Sequence, residues 1–85
     1  MENFIRKLKR MLRQEFPKCE FELERKGGDR VGGFLIWNGF EGLEQIDRQR
    51  KVSAVLKQKL SVAERQHVSA LLTMTPDEME FARQA

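Results

Sequence analysis

Hydrophobic residues near the start of the chain recur at helical spacing. Plotted at 100° per residue, six of them fall within an arc of roughly 140°, with basic residues opposite. These six are Phe4, Ile5, Leu8, Met11, Leu12 and Phe16. Pro17 follows and ends the helix, because proline disfavours helical geometry in the residue before it. The pattern predicts an amphipathic helix whose apolar stripe packs on a core.

An alternating pattern replaces the helical one over residues 19–25, CEFELER. Cysteine, phenylalanine and leucine share one face and three glutamates share the other, as in a half-buried strand. Residues 26–33 contain glycines and predict a connecting loop. The following GFLIWN, residues 33–38, predicts a second strand that pairs antiparallel with the first.

Helical spacing returns after a turn at NGFEG and predicts a helix over residues 48–60 with a basic outer face. SVAE, residues 61–64, matches a capping box, in which serine and glutamate side chains bond free amides of a short helical turn. HVSALLTM, residues 67–74, alternates like a third strand. TPDE, residues 75–78, supplies a threonine cap, a first-turn proline and a glutamate, and begins a final helix.

The predicted order of elements is α-β-β-α-α-β-α, an α+β fold with helices on one face of a three-stranded sheet. With 85 residues, the chain supports one core, and we expect a single domain over residues 1–85. Its 40% hydrophobic and 34% charged residues are typical of a soluble globular protein. No stretch approaches the roughly 20 apolar residues of a membrane helix, and the start lacks a signal-peptide core. We expect a cytoplasmic protein that does not contact membranes.

The net charge of +3 does not identify a polyanion partner, but the charges are unevenly distributed. Residues 1–18 carry six lysines and arginines against two glutamates, whereas the end of the chain is acidic. The single cysteine, Cys19, excludes a disulfide within the chain and fits a reducing compartment.

Two segments resemble the BolA-like family. Residues 40–56, FEGLEQIDRQRKVSAVL, are similar to the family's Phe-x-Gly stretch followed by Arg-His-Arg and a helix. Residues 67–78, HVSALLTMTPDE, are similar to its closing strand: a histidine, alternating apolar residues, Thr-x-Thr-Pro and two acids. The resemblance covers nearly the whole chain and implies a type II KH-like α+β fold with a three-stranded mixed sheet.

The resemblance also implies a non-enzymatic regulator or adapter in iron homeostasis and stress response. Members of the family partner monothiol glutaredoxins, with which they share a two-iron two-sulfur cluster, and His67 matches the family's cluster ligand. The chain alone would bind no cofactor and no small-molecule substrate. The family's second ligand, His or Cys, lies in the loop between the first two strands, but ERKGGDRVGG contains neither. Gln49 also stands where the family has its middle histidine. The absence of a loop ligand leaves open whether a cluster is bound.

His67 and Cys19 are the two candidate metal ligands. A neutral imidazole binds iron or zinc, but a zinc site within one chain takes three or four ligands, so the others would come from a partner. The alternative for His67 is a structural or exposed strand residue. Cys19 is either a thiolate ligand or a buried small hydrophobe beside the first strand. No Cys-His pair with an orienting third group is visible, and we expect no enzyme activity.

A nucleic-acid-binding regulator is the alternative function, and the family is also linked to DNA binding. Arg48, Arg50, Lys51 and Lys57 would face the phosphates, helped by the basic first helix. The alternative for these cations is an ordinary solvated helix face. GFEG, residues 39–42, spells the Gly-x-x-Gly of KH domains but follows a strand, and we expect Phe40 to be a core residue. Target gene, sequence preference and oligomeric state do not follow from the sequence.

Overall fold

The computed structural model describes residues 2–84 and, besides a short 3-10 helix at Asn38–Phe40, contains four α-helices and three strands over that range. They are α1 (Glu2–Glu15), β1 (Glu20–Lys26), β2 (Arg30–Ile36), α2 (Gln45–Lys59), α3 (Val62–Arg65), β3 (Val68–Met74) and α4 (Pro76–Gln84). The observed order confirms the predicted α-β-β-α-α-β-α sequence of elements. α1 ends before Pro17, and Lys18 then takes a left-handed φ of 66° that turns the chain toward β1.

The three strands form one mixed sheet in the order β1-β2-β3. β1 is antiparallel to β2, as predicted, and β3 is parallel to β2. A parallel pair requires a crossover of a dozen or more residues, and α2 with α3 supplies it. Over residues 2–84, no helix combines the length and the apolar character needed to cross a membrane.

The loop predicted over residues 26–33 is wrong in its extent. The turn occupies only residues 27–29, and β2 already begins at Arg30. Gly28 takes a φ of 70°, which permits this tight turn. Gly33 lies inside β2 with a φ of 146°, and a side chain there would collide with the Glu22 carbonyl. Gly28 therefore forms the turn, whereas Gly33 allows β1 and β2 to approach each other closely.

The core lies between the sheet and the helices α1 and α2. Its fully buried side chains come from α1, from β2 and from the loop after β2. They are Leu8, Leu12, Val31, Leu35 and Phe40. This confirms the apolar stripe of the first helix and the expected burial of Phe40.

α4 departs from the predicted single layer of helices. Ile36 and Met79 are only 4% and 6% exposed, yet neither belongs to the core cluster. Because side chains alternate along a strand, Ile36 points away from Leu35, toward the outer face of the sheet. On that same face Arg83 of α4 pairs with Glu22 of β1. α4 therefore covers part of the outer face.

β3 forms as predicted, but strict alternation holds only from Leu71 onward, because Ser69 and Ala70 are both exposed and Val68 packs against the core beyond a register shift. Leu71 and Thr73 are buried, whereas Leu72 is 51% exposed. The Thr73 hydroxyl is accommodated in the interior because it donates to Gln45 Oε1 at 2.8 Å.

Two glutamines of α2 close the outer edge of β3. Gln45 Nε2 donates to the Thr73 carbonyl and Gln49 Nε2 donates to the Leu71 carbonyl, both at 3.2 Å. These carbonyls point away from β2, since backbone directions alternate along a strand. The edge is thereby protected against pairing with another strand.

Candidate functional site

The backbone of His67 is fixed between α3 and β2. α3 is a single turn held by the predicted capping box of Ser61 and Glu64. The His67 N–H donates to the Glu64 carbonyl at 3.0 Å, and the His67 carbonyl accepts from the Val31 N–H at 2.8 Å. The position of the side chain is therefore defined by two neighbouring elements.

One nitrogen of the His67 ring is committed to the backbone. Nδ1 lies 2.8 Å from the carbonyl oxygen of Asp29, in the turn between β1 and β2. Because a carbonyl can only accept, Nδ1 carries the proton in the neutral ring and Nε2 keeps a free lone pair. The ring of Phe4 packs edge-on, with 5.8 Å between ring centroids. Within residues 2–84, Nε2 has no hydrogen-bond partner.

The half-exposed ring borders an open cavity of about 400 Å³ lined by Phe4, Asp29, Glu64 and His67. Glu64 accepts a hydrogen bond from the Lys7 ammonium at 2.6 Å. This bond, with the cap amide of Ser61, holds the pKa of Glu64 below its usual value. The arrangement can present Nε2 to a metal ion or to a donor on another molecule.

Cys19 does not lie at this site. It is 7% exposed, its Sγ lies 3.8 Å from the Leu12 carbonyl, and burial raises the pKa of its thiol. Cys19 immediately precedes β1, whereas Asp29, beside His67, follows it. A strand of seven residues spans about 20 Å at ~3.3 Å per residue, so the two candidate ligands cannot hold one ion. Cys19 acts as a small core hydrophobe.

No three His, Cys, Asp or Glu side chains within residues 2–84 are grouped so that they could hold a metal ion. The turn at residues 27–29 brings the Asp29 backbone to His67, but it contains neither His nor Cys.

Arg48, predicted to face phosphates, is a buried structural residue. It is 5% exposed, and its Nη1 and Nη2 donate to the two carboxylate oxygens of Glu78 at 2.6 and 3.1 Å. Its Nε donates to the Leu43 carbonyl at 2.9 Å. The guanidinium is therefore occupied in joining α2 to α4 and is not presented to a ligand.

The other predicted cations of α2 are exposed. Arg50, Lys51 and Lys57 all face solvent, and Arg50 and Lys57 lie seven residues apart on one side of the helix. Arg50 lies 3.8 Å from the Asp47 carboxylate, which reduces its availability. The structure thus leaves three exposed cations on this helix out of the four predicted.

The Gly-x-x-Gly segment at residues 39–42 packs against the core. Phe40 is fully buried, and a side chain at Gly39 would collide with the Trp37 ring. Trp37 donates from Nε1 to the Pro17 carbonyl at 2.9 Å and packs edge-on against Phe40. The segment is a structural turn, and its glycine permits close packing of the indole.

The sequence did not identify Phe4, Asp29 and Glu64 as neighbours of His67. Phe4 was assigned only to the core stripe of α1, and Asp29 only to a loop. Their proximity to His67 arises because β3 pairs beside β2 and so places the start of β3 next to the β1–β2 turn. No local pattern predicts that strand pairing.

Solved structures similar to this chain include the following two. BolA1 from Arabidopsis thaliana is 23% identical, with a TM-score of 0.71, over 92% of this chain and 98% of that one. A BolA-like protein from Babesia bovis is 23% identical, with a TM-score of 0.61, over 89% of this chain and 88% of that one. No protein-family model matches the chain. No curated protein matches it either.

At this identity the likeness shows the fold. The chain has the BolA-like fold, which confirms the fold class that the two sequence segments predicted.

Proposed function

We propose that this chain is a regulator of the BolA-like family that acts by binding rather than by catalysis. Its partner would be a monothiol glutaredoxin, and His67 would supply one ligand to a two-iron two-sulfur cluster shared by the two proteins. The fold and the two sequence segments support the family. The geometry of the His67 ring supports the site.

The proposal rests on how the two nitrogens of the His67 ring are used. A ligand histidine is held by a hydrogen bond from its other nitrogen, which fixes the tautomer and the ring plane. The bond from Nδ1 to the Asp29 carbonyl does this for His67, and Nε2 is left free at the rim of the cavity. The role of this chain is to hold Nε2 toward the partner and to keep the proton on Nδ1.

The remaining ligands of the cluster would come from the partner, because Cys19 is buried about 20 Å from the site along β1. When bound, the cluster would supply the iron that the complex carries or senses. The proposal places the protein in the cytoplasm, where reducing conditions keep cysteines as thiols.

The test mixes the protein with cluster-loaded monothiol glutaredoxin and records visible absorption and circular dichroism. We expect the spectrum to change on mixing with the wild type, because an imidazole replaces a ligand of the cluster. His67→Ala should abolish that change. Gln66→Ala, an exposed neighbour on the same turn, is the matched control and should behave like the wild type.

Size-exclusion chromatography of the same mixtures separates binding from ligation. A complex that forms equally with His67→Ala and without the cluster would mean that the two proteins bind without His67 and without a shared cluster. An unchanged spectrum with both wild type and His67→Ala, together with no complex, would refute the glutaredoxin proposal.

Nucleic-acid binding through α2 is a second proposal, supported by the exposure of Arg50, Lys51 and Lys57. Because three cations would contact phosphates, the slope of log K against log salt should be about −3, from −0.9 per contact. A gel-shift assay with duplex DNA and RNA measures this slope. Failure to retard either nucleic acid even at low salt would exclude the proposal.

A further inference from the structure

Three arginines form a stripe along the exposed side of α1. Arg6, Arg10 and Arg13 are spaced i, i+4 and i+7, so they share one face of the helix over about 10 Å. All three are exposed, and none pairs with a carboxylate within residues 2–84. We call these three residues the arginine stripe.

Within residues 2–84, Arg6 and Arg10 contribute no ion pair to the fold, whereas Arg13 contacts the Phe21 ring and lies favourably in the last turn of the helix. Like charges three or four residues apart destabilise a helix, and Arg6 with Arg10 and Arg10 with Arg13 are two such pairs. Arg6 and Arg10 would therefore gain from an anion that another molecule brings.

The arginine stripe runs along β1, which is an edge strand of the sheet. The Arg13 guanidinium lies 5.0 Å from the centroid of the Phe21 ring. Near the other end of α1, Glu2, four residues before Arg6 and on the same helix face, lies 3.5 Å from Arg25. α1 is therefore aligned with β1, and the arginine stripe follows the strand.

The edge of β1 is open. Gly33 of β2 lies directly against the Glu22 carbonyl, so the backbone groups of Glu22 point toward β2. Because these directions alternate, the N–H and C=O groups of Phe21, Leu23 and Arg25 point outward. Among residues 2–84, no turn, loop or side-chain hydrogen bond uses these groups, whereas two glutamines of α2 seal the opposite edge of the sheet.

We propose that the β1 edge and the arginine stripe form one docking surface for an extended acidic segment of a partner protein. The segment would add a fourth strand by bonding to the outward backbone groups of β1. Every second side chain of the segment would then lie on the α1 side of the sheet. Carboxylates at those positions would meet the arginine stripe, and each guanidinium can bind a carboxylate with two N–H groups.

The same geometry argues for a protein segment rather than a nucleic acid. Phosphates could contact the arginine stripe, but a nucleic acid would leave the backbone groups of the β1 edge without partners. Glu20, Glu22 and Glu24 line the other side of β1 and would repel a second row of phosphates. A peptide can bond to the backbone groups of the β1 edge, and it avoids repulsion by these glutamates if its side chains on that side are neutral or basic.

The probe is a nine-residue peptide in which glutamate alternates with threonine, titrated into isotope-labelled protein and followed by backbone amide NMR. We expect the amide signals of Phe21, Leu23 and Arg25 to shift and their hydrogen exchange to slow. Arg10→Glu should weaken binding by roughly tenfold or more, because it removes a charge-assisted contact and adds repulsion. Lys57→Glu on α2, an exposed site with the same charge change, should alter affinity by less than about twofold.

Two control ligands separate this proposal from simple charge attraction. A peptide of the same sequence and charge in which every backbone nitrogen is methylated has no N–H to donate to β1, and equal binding of that peptide would overturn the proposal. Tighter binding of a short DNA duplex to the same residues would overturn it in favour of a nucleic-acid surface. The docking surface does not include His67, so failure of the glutaredoxin experiment leaves it unaffected.

Discussion

Replacing Glu78 with glutamine tests the charged cluster that joins α2 to α4. The carboxylate receives two hydrogen bonds from the guanidinium of Arg48, which is 5% exposed, and one from the Thr75 N–H at 2.8 Å. Glutamine keeps the size of the side chain and removes its charge. The buried guanidinium then loses its only carboxylate partner within residues 2–84.

The expected loss of stability is about 2 kcal/mol. Breaking a fully buried ion pair costs about 3–5 kcal/mol, and a hydrogen bond to a charged group contributes about 1.5–3 kcal/mol. The Glu78 side chain is 44% exposed, so water and the new amide oxygen recover part of the loss. With an m-value of about 1 kcal/mol per molar urea for a small domain, the midpoint of urea unfolding should fall by roughly 2 M.

The loss should also depend on pH. The hydrogen bond from Arg48 is the largest cause that holds the pKa of Glu78 below its usual value, and the Thr75 N–H adds to it. A carboxyl group with a lowered folded-state pKa stabilises the protein above its unfolded pKa of about 4.3, and loses this effect as pH falls through the folded pKa. The difference between wild type and Glu78→Gln should be constant from about pH 7 to pH 5.5 and shrink in acid.

Glu80→Gln is the control, because it makes the same change at an exposed position of the same helix. It should alter the free energy of unfolding by less than about 0.5 kcal/mol. Equal urea midpoints for the two variants at pH 7 would refute the structural role of Arg48. A difference that persists undiminished at the lowest pH where the protein still folds would refute the electrostatic explanation.

Three further results are expected. Gly33→Ala should prevent folding, as judged by circular dichroism, because its methyl group would collide with the Glu22 carbonyl; a folded variant would contradict this. The buried thiol of Cys19 should react with a thiol reagent only as fast as the protein unfolds, and rapid reaction in native buffer would show otherwise. Gln49→Ala should cost about 1 kcal/mol in urea unfolding by leaving the Leu71 carbonyl without its partner, and an unchanged midpoint would refute this.

Sequence patterns predicted the elements because helix spacing, strand alternation and caps are local properties. The stripe of α1, the capping box of α3 and the threonine cap before α4 each involve residues within a few positions of one another. The same patterns misplaced the start of β2, because glycine occurs both in turns and where strands approach closely. The role of Gly33 becomes clear only from the position of the Glu22 carbonyl on the neighbouring strand.

Arg48 shows where local reasoning ends. Its position among Arg50 and Lys51 predicted a basic face for phosphates, but Glu78, thirty residues later, binds its guanidinium. His67 shows a related limit. The sequence indicated the residue through the family resemblance, but it did not indicate which ring nitrogen would be free.

The sequence by itself determined the order of the elements, the apolar face of the first helix and the histidine to consider. The tertiary structure alone decided the buried face of β3, the structural role of Arg48 and the separation of Cys19 from His67. The physical reason is that secondary structure follows from spacing along the chain. Burial, charge pairing and ring orientation depend on which distant segments the sheet brings together.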